Sequence, residues 1–142
     1  MNYYCEIKNR LIENENYARI KDYSKERNKV QTYYEVGKML SEAGKCYGEG
    51  IIKEYSRKLT KELGKGFSKS NLFNMRKFYL TYPKIPDMSG ILGWSHYCEL
   101  ISIKEENKRL FYEKETINNK WSVRELQRQI ETSLYERILL SD

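Results

Sequence analysis

Proline occurs at only two positions in this chain of 142 residues, Pro83 and Pro86, and both fall in one short stretch. Proline lacks the N–H that a helix ladder needs and its ring clashes with the preceding turn, so the residues on either side are open to long helices. Apolar residues there recur at intervals of three and four with charged residues between them. The pattern predicts an all-α chain, a compact multi-helix domain with a helix-turn-helix-like core. A chain of this length fits one domain, 1–142, with N-terminal helices over 1–44, a basic helical pair over 47–82 and C-terminal helices over 92–140. Its aromatic residues are thirteen Tyr, four Phe and two Trp, so much of the apolar area carries a hydroxyl that must meet water or a partner.

The first helix is expected over Asn2 to Asn14, with Tyr4, Ile7 and Leu11 on one stripe, and the pattern falters from Glu13 to Tyr17. A long helix then carries Ile20, Tyr23, Arg27, Val30, Tyr34, Gly37 and Leu40 on one face and should end before Gly44. Gly37 within that face costs stability unless another helix passes close by, so the face reads as a packing seam. A seam of this length serves either packing within the chain or a homodimer surface.

After a linker, Gly44 to Gly50, a third helix is expected over Ile51 to Leu63, with Ile51, Ile52, Tyr55 and Leu59 inward. Gly64 and Gly66 stop it. Ser68 is a good N-cap for a fourth helix, Lys69 to Leu80, and Phe67 and Leu72 occupy hydrophobic-staple positions around it. In this helix Leu72, Phe73, Met75, Arg76 and Tyr79 should turn to the core, leaving Lys69, Ser70, Asn71 and Asn74 outward. Pro83 to Gly93 reads as a loop or a small wing. Beyond it come a helix from Trp94 or Ser95 to Ile103, and another from Glu105 to Ile117 that buries Leu110, Phe111 and Ile117. A closing helix, Val123 to Leu139, should be introduced by a Ser122–Glu125 capping box and carry Leu126, Ile130, Leu134 and Ile138 on one stripe.

The formal charge is +6, and its placement is uneven: residues 51–84 hold nine Lys or Arg against two acids, a net of +7. A field concentrated in a quarter of the sequence can steer a polyanion, whereas even spacing would mostly aid solubility. The start of the second helix in a helix-turn-helix pair offers backbone N–H groups, the positive end of the helix dipole and short polar side chains to DNA. Lys65 and Lys69 would meet phosphates, and Asn71 and Asn74 could pair with an adenine edge. The candidate nucleic-acid-binding residues are Lys53, Arg57, Lys61, Lys65, Lys69, Ser70, Asn71, Asn74 and Lys77, and the expected partner is DNA. A protein-docking or dimerisation module without nucleic-acid binding is the competing reading.

Catalytic readings fail on inventory. His96 is the single histidine and Cys5, Cys46 and Cys98 are widely spaced, so no two-histidine site or close cysteine pair exists. A packing or capping role at a helix start suits His96 best. The E-x-K triplets Glu6 to Lys8 and Glu106 to Lys108 lack the acidic partner that a metal-dependent nuclease requires. Residues 64–68 do not have phosphate-loop spacing. No catalytic residue and no cofactor is expected. An odd, scattered cysteine count suits a reducing cytoplasm, and neither a signal peptide nor a membrane span is visible.

Taken together, Tyr33 to Gly37 (YYEVG), the stretch Tyr47 to Leu63, Gly66 to Tyr82 (GFSKSNLFNMRKFYLTY), Leu92 to Leu100 (LGWSHYCEL) and Phe111 to Leu140 with its WSVRE at Trp121 to Glu125 resemble the N-terminal domain of YhcG-family proteins. The resemblance spans nearly the whole chain. Position by position, the family's G-F-S-x-x-N-L-x-x-M-R-x-F-Y pattern falls on Gly66, Phe67, Ser68, Asn71, Leu72, Met75, Arg76, Phe78 and Tyr79. Its W-x-H-Y-x-x-L pattern falls on Trp94, His96, Tyr97 and Leu100. The resemblance implies a helical, winged-helix-like domain presumed to bind DNA, which in full-length members precedes a nuclease-like domain of the PD-(D/E)xK class. No such domain follows Asp142 in this sequence, which is read either as a fragment of a longer protein or as a stand-alone module, with a second copy or a separate nuclease subunit as the candidate protein partners; the nuclease activity is not carried over.

Overall fold

The computed structural model describes residues 2–20, 25–85 and 92–141. Eight helices account for most of them: α1 Tyr3–Ile20, α2 Lys25–Tyr47, α3 Gly50–Leu63, α4 Lys69–Thr81, α5 Trp94–Ile101, α6 Glu106–Asn119, α7 Val123–Glu131 and α8 Leu134–Leu140. The architecture is all-α, with no strand among the described residues. Most of the stretch expected to hold a wing, residues 86–91, lies outside them. Backbone packing groups the chain into two compact units, Met1–Met88 and Ser89–Asp142.

In the first unit α2 is the central helix, packed against α1, α3 and most extensively α4. It buries Val30, Tyr33, Tyr34, Val36, Leu40 and Ala43, so the seam read from the sequence is used within the chain. At Gly37 the backbone of α4 comes so close that a Cβ there would stand 2.1 Å from the Met75 carbonyl oxygen. Tyr34 closes the same seam, its hydroxyl donating to the Tyr82 carbonyl at 2.8 Å while its ring meets Phe78 and Tyr79 edge-on.

Two boundaries differ from the sequence reading. The first helix does not stop at Asn14 but continues to Ile20, because Glu13, Glu15 and Asn16 are solvent-facing turns of one helix rather than a break. Ile20 therefore belongs to α1 and not to the long helix, and Tyr23 lies outside the described residues. The long helix passes through Gly44, where the Arg76 guanidinium lies 3.5 Å from the position a Cβ would take. An interior glycine costs only about 1 kcal/mol and the helix outweighs it. It ends instead at Tyr47, before Gly48 at φ +88.

The second unit gathers Trp94, Tyr97, Leu100 and Ile101 of α5 around Tyr112 of α6 and Leu126 of α7. Leu110, Phe111 and Ile117 do not supply the α6 core: Leu110 is exposed, Phe111 and Ile117 are half-buried, and Tyr112 and Thr116 are the buried pair. The inward face is set by the Tyr112 hydroxyl, which donates to the Gln129 carbonyl at 3.3 Å and accepts from the Tyr135 N–H at 3.1 Å. Nor is the closing helix continuous. It breaks at Thr132 and Ser133, where Ser133 takes left-handed angles (φ 59), and the Tyr112 hydroxyl bonds to both sides of the break. Beyond it Leu134 is half-buried and Ile138 exposed, so only Leu126 of the expected stripe is fully buried.

Ser122 caps α7 as expected, accepting from the Glu125 N–H at 3.1 Å. The Glu125 carboxylate completes no capping box, because Arg128 and Gln129 hold it instead. With these two donors beside it, Arg128 foremost, its carboxyl is held down at about 2.

Candidate nucleic-acid interface

The corner between α3 and α4 forms as its residues dictate. Gly64 and Gly66 adopt φ +97 and +105, angles that residues with a Cβ rarely take. Ser68 sits in an extended conformation and accepts from the Asn71 N–H at 3.1 Å, capping α4, while Phe67 and Leu72 on either side of it are buried. Ser56 of α3 donates to the Phe67 carbonyl at 2.7 Å. Ser56 adjoins Arg57 and stands one turn from Lys53, so this bond draws the start of α4 alongside the basic face of α3.

Lys53, Arg57 and Lys61 recur every four residues along α3 and all three are exposed, as are Lys65, Lys69, Ser70 and Lys77. Among the described residues no ion pair involves any of these six cations. The two acids of the segment are engaged elsewhere. Glu54 pairs with Lys58 at 3.4 Å, and Glu62 is bound by Lys8 and by the Tyr4 hydroxyl, both from α1. Those contacts, Lys8 first, hold the Glu62 carboxyl below its ordinary range, so it remains ionised and compensated at neutral pH. Folding thus leaves the segment's acids paired while these six cations face solvent.

On α4 the buried residues are Leu72, Met75 and Phe78. Phe73, expected inward, is half-buried on the other side of the helix, with Lys69 Nζ 5.7 Å and the Arg76 guanidinium 4.8 Å from its ring centre. The inward aromatic is Phe78. The outward face therefore presents Lys69, Phe73 and Lys77, one per turn, with Leu80 exposed beyond them. Asn71 is not turned wholly outward: its side-chain amide donates to the Gly66 carbonyl at 2.7 Å and helps shape the corner. Asn74 is half-buried. Arg76, which periodicity did not select as a site residue, is anchored by one guanidinium nitrogen to both oxygens of Glu49, at 2.9 and 2.8 Å.

Over residues 6–137 the sequence matches the DUF1016 N-terminal domain. The chain belongs to that family. It is 36% identical to the protein named "Putative nuclease YhcG" of Escherichia coli (strain K12), in an alignment that takes in 78% of this chain and 40% of that relative. This member of the DUF1016 N-terminal domain family thus spans well under half the length of that nuclease-like relative. No solved structure matches it.

In this DUF1016 N-terminal domain His96 has a defined structural place. Its Nδ1 accepts from the Gly93 N–H at 3.1 Å, and its Nε2, which must then carry the proton, donates to the Trp121 carbonyl at 2.8 Å. The imidazole caps α5 and ties it to the residue preceding the α7 cap. The lysines of the two E-x-K triplets are paired at a distance, Lys8 with Glu62 and Lys108 with Glu136. Among the described residues no group of three His, Cys, Asp or Glu could hold a metal ion, and no helix is long and apolar enough to cross a membrane.

Proposed function

We propose that the DUF1016 N-terminal domain seen here is a non-catalytic DNA-binding module that serves a nuclease, gripping the phosphate backbone with Lys53, Arg57 and Lys61 of α3 and with Lys65, Lys69 and Lys77 at the corner and on α4. The observation that carries this is the pairing pattern: Glu54 and Glu62 are bound by other residues, and these six cations face solvent without an ion pair among the described residues. Ser70 and the capped start of α4 supply short donors beside them, and the half-buried Asn74, one turn further on, is the candidate for a base edge. Asn71 acts through the shape of the corner. Cys5, Cys46 and Cys98 form no disulfide among the described residues, which suits a reducing cytoplasm.

The test is titration of a labelled duplex at several salt concentrations. The logarithm of affinity should fall linearly with the logarithm of salt, by about 0.9 per phosphate neutralised. Replacing Lys65 and Lys69 with Ala should weaken binding across all sequences and reduce that slope by about one for each phosphate no longer neutralised. Absence of saturable binding at low salt would sink the proposal.

One observation favours a second reading, docking to a nuclease subunit or to a second copy. Leu110, Ile138, Leu139 and Leu140 are exposed in the second unit, the last three consecutive in α8, and exposed apolar surface of this kind is what a docking partner covers. Sedimentation showing a monomer at every concentration would remove self-association from that reading.

A further inference from the structure

Beside the basic face of α3 lies a shallow depression of about 480 Å³ walled by tyrosines, which the phosphate-binding reading leaves without a role. Tyr3 and Tyr4 enter it from the start of α1, Tyr47 from the last position of α2, and Glu54, Tyr55 and Lys58 from α3. Tyr3 and Tyr47 meet edge to face with ring centres 6.3 Å apart, and Tyr4 and Tyr55 lie 5.5 Å apart. Tyr47 is 58% exposed, so a large part of its ring has no protein neighbour. Lys58 Nζ lies 5.3 Å from the centre of the Tyr4 ring and 3.4 Å from the Glu54 carboxylate. Glu54 is shared with a second depression lined by Lys53, Ser56 and Arg57, so the tyrosine walls adjoin the cations on the outer face of α3.

We propose that this depression receives an unpaired base of single-stranded nucleic acid, stacked against Tyr47 and Tyr3, with its phosphate toward the exposed Lys53 and Arg57 of the adjoining depression; the assignment rests on the nucleic-acid reading above. Single-strand binders combine a cationic track with aromatic rings on which bases stack, and both parts adjoin here. A cationic ligand fits the same walls poorly. The Tyr4 face is already covered by Lys58, and the Glu54 charge that would attract a second cation is compensated by the same ammonium. A purely apolar ligand would have to desolvate Glu54, Lys58 and the tyrosine hydroxyls without pairing them.

The experiment compares two probes, a single-stranded oligodeoxyadenylate carrying 2-aminopurine and a labelled duplex, on the whole chain and on Tyr47→Ala, Tyr47→Phe and the triple Lys53→Ala/Arg57→Ala/Lys61→Ala variant. Tyr47 ends its helix and is largely exposed, so its replacement should leave the fold intact, and circular dichroism of each variant confirms this before titration. The expected result is quenching of 2-aminopurine by the unmodified chain. Tyr47→Ala should lose about tenfold in single-strand affinity with duplex affinity unchanged, and Tyr47→Phe should retain it. If the duplex binds through the lysines and Tyr47→Ala leaves single-strand affinity unaltered, the pocket assignment falls and the duplex reading stands. If the single strand binds through Tyr47 and the duplex does not bind, the pocket stands and the duplex reading falls. Failure of both probes to bind at low salt overturns both.

Discussion

The Met75 backbone passes so close to Gly37 that any side chain at 37 would overlap the Met75 carbonyl oxygen, which lies 2.1 Å from where a Cβ would be. Backbone cannot retreat as a flexible side chain can, so Gly37→Ala must push α2 and α4 apart along the most extensive helix packing of the first unit. Overpacking of this kind costs about 1–3 kcal/mol. Urea denaturation should show a lower midpoint with an unchanged slope.

Ser56→Ala removes the hydroxyl that donates to the Phe67 carbonyl at 2.7 Å. The expected loss is about 1 kcal/mol, with the carbonyl left to find water. Because this bond draws the start of α4 alongside the basic face of α3, duplex affinity should fall together with stability. A stability loss with duplex affinity intact would show that the corner is held without it.

His96→Ala removes an acceptor from the Gly93 N–H and a donor from the Trp121 carbonyl, a loss of about 1–3 kcal/mol. His96→Gln can renew the Gly93 cap but cannot span both partners, so it should fall between the two. Thermal melts of the three chains, ordered native, Gln, Ala, are the check.

Tyr112→Phe keeps the ring of a fully buried residue and deletes only the oxygen shared by the Gln129 carbonyl and the Tyr135 N–H. The expected cost is about 1–3 kcal/mol, since both backbone groups lose a partner beside the break between α7 and α8. Hydrogen exchange should quicken at the Tyr135 amide before it does so elsewhere in the unit.

Glu125 should titrate near 2, well below its ordinary 4.5, because Arg128 and then Gln129 hydrogen-bond the ionised form. Its folded value is depressed, so whatever stabilisation this pairing gives is present at neutral pH and is lost as pH falls through the folded value. In a carboxyl-carbon NMR titration, Arg128→Gln should bring the midpoint back toward the ordinary range.

Much of this is legible from residue order. Gly64, Gly66 and Ser68 announce a stop and a capped restart, and both are realised because positive φ and a short N-cap oxygen are local demands that few residues meet. Gly37 announces a close neighbour, though not that Met75 supplies it. Local rules fail where a distant partner decides. Tyr112 rather than Phe111 turns inward because its hydroxyl serves two backbone groups on α7 and α8. Periodicity carries no trace of Ser133, where a left-handed residue interrupts an otherwise continuous helical pattern. At the candidate interface, sequence locates the cations, while the removal of Glu62 from their company depends on Lys8 and Tyr4, more than fifty positions away. The tyrosine depression is invisible in the sequence for the same reason, since its walls come from three helices.

That hold on Glu62 makes the first helix a custodian of a surface to which it does not belong. Cut away α1, and Glu62 loses both partners one turn from Lys58, where it would compete with a nucleic acid for that ammonium group. The tyrosine depression would lose Tyr3 and Tyr4 in the same stroke. A shortened chain that no longer binds would therefore say little about where the binding surface lies, and point substitutions at Lys8 and Tyr4 are the cleaner way to ask what the first helix contributes.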